Sequence, residues 1–167
     1  MKIPKLQLLT TLFLATLLFA GCKDECKDVT CVKGACVDGN CVCDAGYSGT
    51  DCSVAHNAKF NGRYTSDENC TVGGTQTYDV EIAPKAGSAT QVVFSDMWAT
   101  PGHDVVAVVA ENGTTFSIAK QDLGQSGYDL ETTSGTITAD GKTITMAFNV
   151  YIDDTTFLQS CTATLTR

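Results

Sequence analysis

Six cysteines fall between Cys26 and Cys52, and no other stretch limits this chain's folding options as tightly. Their spacing is Cys26-x4-Cys31-x4-Cys36-x4-Cys41-x-Cys43-x8-Cys52. Little in that segment could form a hydrophobic core, so its order must come from cross-links. Such a density of cysteine folds only where disulfides form, which predicts an exported protein. Asp38-Gly39-Asn40 is turn chemistry and places Cys36 and Cys41 at the two ends of a tight hairpin. Cys41 and Cys43 project from one face of a strand, where each reaches a different partner. Spacing by itself does not choose the connectivity. Zinc is a poor fit, because a single residue separates Cys41 from Cys43 and zinc pairs are usually about two to four apart.

The end of the ladder reads Cys41-Val-Cys43-Asp-Ala-Gly46-Tyr47-Ser-Gly49-Thr-Asp-Cys52. It closely resembles an EGF-like domain, with Gly46-Tyr47 and Gly49 at that family's places. The resemblance implies first-to-third, second-to-fourth and fifth-to-sixth pairing: Cys26–Cys36, Cys31–Cys41 and Cys43–Cys52. It also implies a spacer or contact module without calcium. Only Asp24-Glu25 stand directly before Cys26, and the hairpin lacks the aromatic of the calcium-binding type.

Upstream, Lys2 and Lys5 precede an apolar run from Leu6 to Ala20, the layout of a secretory signal over residues 1–21. The run is short of the roughly 20 apolar residues that span a bilayer. The nine cysteines are an odd number, which asks for one with a separate use. Leu18-Phe19-Ala20-Gly21-Cys22 resembles the lipobox of bacterial lipoproteins, although Phe19 departs from the usual Leu. That resemblance implies cleavage before Cys22 and acylation of its sulfur and amine. Lys23-Asp24-Glu25 then resembles the surface-export signal of Bacteroidota-type lipoproteins. Together these predict a lipidated tether at 22–25, a membrane partner reached through the lipid, and a lipid-anchored location on the outer membrane, exposed at the cell surface.

After a polar link over 53–58, residues 59–167 change texture. Tyr78, Val80 and Ile82 share one strand face. Ile144, Met146, Phe148, Val150 and Ile152 alternate with Thr143, Thr145, Ala147, Asn149 and Tyr151, a period of two over ten residues. Gln91 to Phe94, Val105 to Val109, Thr115 to Ile118, Gly135 to Thr138 and Ser160 to Leu165 are further strands. Asn112-Gly113 and Asp140-Gly141 are hairpin turns. Ile118 to Leu123 could form one helical turn. The expected fold is all-β: a disulfide-rich module followed by an antiparallel barrel, or a sandwich, of about eight strands. Phe60-Asn-Gly-Arg-Tyr64, Ser134-Gly-Thr-Ile-Thr-Ala-Asp-Gly141 and Cys161-Thr-Ala-Thr-Leu-Thr resemble small lipocalin-like (calycin-like) domains. With the ladder's six cysteines assigned, Cys70 and Cys161 are left for each other. A meander that closes on itself brings its first and last strands together, with Cys70 just past the first.

Function is less legible. The formal charge is −8, and removal of Lys2 and Lys5 takes the mature chain to about −10. That sign repels phosphate backbones, so nucleic acid is not expected as a partner. Ser95, Asp96, His103 and Asp104 flank a loop, but no Gly-x-Ser-x-Gly or comparable nucleophile motif accompanies them. The chain is therefore read as a non-enzyme without cofactor or metal. The lone tryptophan, Trp98, and His103 are the candidate ligand contacts. The leading expectation is a surface-displayed binding or adhesion module on an EGF-like stalk, taking a glycan, a protein or a small apolar ligand. The alternative is a lipocalin-like carrier of a small hydrophobic ligand.

Overall fold

The computed structural model describes residues 25–99, 101–102, 104–123 and 127–167. Cys22, Lys23, Asp24 and His103 lie outside the described residues; Glu25 is exposed.

The N-terminal module is built from two short antiparallel ribbons. β1 (Gly34–Val37) pairs with β2 (Asn40–Cys43), and β3 (Tyr47–Ser48) with β4 (Val54–Ala55). Asp38 and Gly39 turn the first ribbon with positive φ angles of 49° and 77°, the two-residue geometry that matches strand twist. Disulfides join Cys26 to Cys36, Cys31 to Cys41 and Cys43 to Cys52. Val32, Val37 and Val42 stay more than half exposed, so the bridges hold this module in place of a core.

Residues 53–58 do more than link. Val54 and Ala55 form β4, and His56 N–H donates to the Gly46 carbonyl at 2.9 Å. Asn57 is buried, and its side-chain amide donates to the carbonyls of Ser88 and Gln91, both at 2.8 Å. The segment therefore docks the module on the second domain.

That domain is a barrel of eight staves. β5 (Gly62–Cys70), β6 (Gly74–Pro84), β7 (Gln91–Ser95) and β8 (Asp104–Val109) run as a meander. β9 (Thr115–Ser117) and β10 (Gln121–Asp122) are two halves of one broken stave. β11 (Tyr128–Ile137), β12 (Thr143–Ile152) and β13 (Thr156–Thr166) complete the circuit, and β13 pairs with β5. β9 and β10 both pair with β11, and β9 also with β8, so the sheet closes. Closure removes the free edges that a sandwich would keep.

Three details differ from the sequence reading. Cys70 is the last residue of β5 rather than lying beyond it, and it stands directly opposite Cys161. The two are bonded, with Cα atoms 4.1 Å apart. The helical turn expected over Ile118 to Leu123 is a strand break followed by β10. There the Gln121 side chain replaces a backbone partner: its Oε1 accepts from Val106 N–H at 2.8 Å and its Nε2 donates to Val106 O at 2.9 Å. β11 and β13 are also far longer than the apolar runs suggested, because their outward positions are largely threonine and serine.

Inward side chains fill most of the barrel. Phe60, Tyr64, Val80, Ile82, Phe94, Phe116, Ile144, Phe148 and Leu165 are all buried. One end is a closed floor. Tyr64 donates its hydroxyl to Gly141 O at 2.9 Å, and the Arg167 guanidinium donates to the carbonyls of Asn61 and Lys59. The opposite end is different in kind.

Candidate functional site

At the other end, the inward row of β5 turns polar. Tyr64, Ser66, Glu68 and Cys70 all point in, and Glu68 is only 2% exposed. A buried carboxylate costs free energy unless donors surround it. Three do. The Tyr78 hydroxyl donates at 2.5 Å, the Gln76 amide at 2.8 Å, and the Trp98 indole also hydrogen-bonds the carboxylate. Cys70 Sγ lies 3.0 Å from Glu68 Oε1, a contact rather than a hydrogen bond because a disulfide sulfur carries no proton. Beneath them the Ser66 hydroxyl is wholly buried and makes no hydrogen bond of normal geometry. Among the described residues no lysine, arginine or histidine forms an ion pair with Glu68.

The electrostatics follow from this. Burial pushes the Glu68 carboxyl above the ordinary glutamate range, against the pull of Tyr78, Gln76 and Trp98. Burial and the Glu68 charge push Tyr78 well above the ordinary tyrosine range, so it remains a protonated donor. A raised carboxyl pKa stabilises the fold while the acid is protonated. That contribution is lost as pH rises through the elevated value. Above that value the ionised Glu68 is a cost that the fold carries.

Trp98 caps this end. β6 pairs with β7 only through Glu81 to Pro84, and the loop after β7 leans over the remaining half of β6. Asp96, Trp98 and Ala99 all have left-handed backbone, with φ of 64°, 56° and 53°. Non-glycine residues in that region are strained, and such strain tends to gather at functional sites. Buried Met97 anchors the loop, Asp96 accepts from Gly102 N–H at 2.8 Å, and Trp98 N–H donates to the Tyr78 hydroxyl at 3.1 Å. The half-buried Trp98 ring packs on Tyr128 with centroids 5.5 Å apart. Beside it an open cleft of 220 Å³ is lined by Cys70, Gly73, Gly74, Gln76, Trp98 and Gln159. Gln159 is buried, and its Oε1 accepts from Gly73 N–H at 2.9 Å, fixing the β5–β6 turn on the cleft's edge.

The sequence singled out Trp98 but not Glu68. The other loop candidates have structural occupations. Ser95 donates to Asp104 at 2.7 Å across the strand ends, and Asp96 holds Gly102. A further cleft of 460 Å³ lies on the outer wall, lined by residues including Asn69, Thr71, Thr133, Asn149 and Thr162. It has one aromatic residue, Phe148, whose side chain belongs to the core. The three acceptors Glu68, Cys70 and Cys161 lie within 4.8 Å of one another, but the two sulfurs are bonded to each other and so are not metal ligands.

Comparison with known proteins matches residues 25–53 to the family described as the tenascin EGF domain. The chain thus consists of an EGF-like disulfide module followed by a small antiparallel β-barrel. No curated protein matches the chain. Among solved structures, one described as "Structure of EF1p2_mFAP2b bound to DFHBI" is 17% identical. That match covers 67% of this chain and 98% of the other, with a TM-score of 0.46, a likeness too loose to bear on function.

Proposed function

We propose that this chain is a non-catalytic binding protein whose ligand site is the Glu68–Trp98 mouth of the barrel. The observation that carries the reading is Glu68 itself. It is a buried carboxyl group held by Tyr78, Gln76 and Trp98 under a strained aromatic cap, beside an open cleft. Packing alone would be served better by an apolar side chain there. The filled interior below favours a small ligand seated at the mouth over one enclosed deep in the barrel.

Trp98 is the sole tryptophan, so its emission reports directly on the mouth. In a screen of small molecules and oligosaccharides against the full chain, genuine ligands should shift that emission saturably. Calorimetry should show at least about tenfold weaker binding for Trp98→Ala, the loss typical of a central aromatic contact. Ligands that bind without moving Trp98, and equally well to Trp98→Ala, would place the site elsewhere.

We further propose that a lipid on Cys22 tethers the protein to the outer membrane, with the EGF-like module as spacer. The support is the Ala20-Gly21-Cys22 sequence and the pairing of the other eight cysteines among themselves. Cys22→Ser should leave the precursor uncleaved and abolish acyl labelling. A normally cleaved Cys22→Ser protein that still partitions into detergent would refute the anchor.

A further inference from the structure

We infer that Glu68, Cys70 and Cys161 bind zinc, or a similar thiophilic divalent cation, whenever the Cys70–Cys161 bridge is open. This site stands apart from the ligand reading of the mouth, and neither depends on the other. Among the described residues, these three are the one trio of His, Cys, Asp or Glu side chains whose ligand atoms all lie within 4.8 Å of one another. All three residues are buried. While the bridge stands, its sulfurs are bonded to each other and hold no metal. An exported chain carries both as thiols until oxidation joins them.

The frame around those thiols suits a metal. Cys70 and Cys161 are directly opposed across β5 and β13, with Cα atoms 4.1 Å apart, so both side chains leave the strands at one point. Two thiolates on one tetrahedral zinc, each at about 2.3 Å, lie about 3.8 Å from each other, a separation that side-chain rotation reaches without moving the strands. Glu68 Oε1 is 3.0 Å from Cys70 Sγ and supplies the third ligand. Glu68 Oε2 accepts from the Tyr78 hydroxyl at 2.5 Å, which fixes the carboxyl group with Oε1 toward the sulfurs. Cys70 lines both the 220 Å³ cleft at the mouth and the 460 Å³ cleft on the outer wall, and Cys161 lines the second. A hydrated ion therefore has a way in, and water can take the fourth position. Two sulfurs and one oxygen suit zinc, whereas calcium and magnesium take oxygen ligands. The redox balance is simple. The bridge takes two electrons from a thiol or phosphine reductant, and two protons, to give two thiols. The metal then displaces the two thiol protons. Oxidation re-forms the S–S bond and expels the ion. Zinc would thus clamp β5 to β13 at the seam that the bridge otherwise holds.

The test reduces the full chain with a phosphine and titrates it with Co²⁺, read by thiolate-to-cobalt absorption, and with Zn²⁺ in competition. A Cys70→Ser, Cys161→Ser variant treated identically accounts for the six thiols of the EGF-like module. The unaltered chain should bind one metal equivalent more than this variant and release it on reoxidation. Glu68→Gln should raise the Kd of that equivalent at least about tenfold, a loss seen even when only a ligand's hydrogen-bond partner is removed. Zn²⁺ should raise the melting temperature of the reduced chain but not of the double variant. The metal count and the melting shift keep the test decisive if Glu68→Gln folds poorly. Equal equivalents in the two proteins, an extra equivalent indifferent to Glu68→Gln, or a reduced chain that melts alike with and without Zn²⁺ would overturn the inference.

Discussion

Replacing Cys70 and Cys161 together by alanine should lower the melting temperature of the full chain by roughly 10–20 °C while leaving its β content intact in the cold. The bridge joins β5 to β13 at the point where the barrel's first and last long strands meet, and it closes a loop of 91 residues. A cross-link of that span removes unfolded-state entropy equivalent to about 4–5 kcal/mol, an upper figure because unfolded chains retain structure. Six residue pairs of the β5–β13 ladder, from Cys161↔Cys70 to Thr166↔Thr65, would still hold the seam at low temperature. The bridge also forms part of the cleft wall beside Glu68. The double variant should therefore bind mouth ligands more weakly even where it is folded. A thermal scan by circular dichroism checks the first effect. A shift below about 3 °C would show that the seam does not depend on the bridge.

Phe116→Ala should be nearly as damaging, at about 3–5 kcal/mol. β9 is only three residues long, yet Phe116 pairs with Val109 of β8 and with Gly135 of β11. Its ring meets Phe60 edge-on at 5.7 Å and Phe94 at 5.5 Å. Truncation would leave a cavity between both neighbours and loosen the broken stave. Gly135 faces the same ring, and a Cβ placed there would come within 2.5 Å of Phe116 carbons. Gly135→Ala should thus cost about 1–3 kcal/mol by crowding rather than by cavity. Urea unfolding of both variants tests the pair. Losses under 1 kcal/mol for Phe116→Ala would mean that β9 contributes little to closure.

The way these residues read in the sequence follows from their physics. β12 was fully legible, because five apolar residues alternate with more polar ones and four of the five, Ile144, Met146, Phe148 and Val150, are core. The hairpin at Asp38-Gly39 was legible from turn chemistry alone. β5 was not. Its inward row is Tyr64, Ser66, Glu68 and Cys70, so the period of two is written in polar letters and vanishes beside outward Arg63, Thr65, Asp67 and Asn69. The candidate site was hidden for the same reason. Glu68 next to Asp67 reads as acidic surface. The usable signal was position: Glu68 shares alternation parity with Tyr64 and with Cys70, which both face inward. Trp98 stood out as a single aromatic in a loop. Its partner lies thirty positions upstream on another strand, a relation set by the barrel's curvature and by no local pattern.

The central claim is that ligands engage the Glu68–Trp98 mouth. Amide chemical-shift mapping of the isotope-labelled full chain, titrated with a ligand found through Trp98 emission, tests it most directly. The account predicts that the shifts centre on Glu68, Gly73, Gly74, Gln76 and Trp98, with the side-chain amides of Gln76 and Gln159 among the largest. Shifts centred on the outer-wall cleft at Asn69, Thr71, Asn149 and Thr162, or on the EGF-like module, with the mouth unmoved, would contradict it.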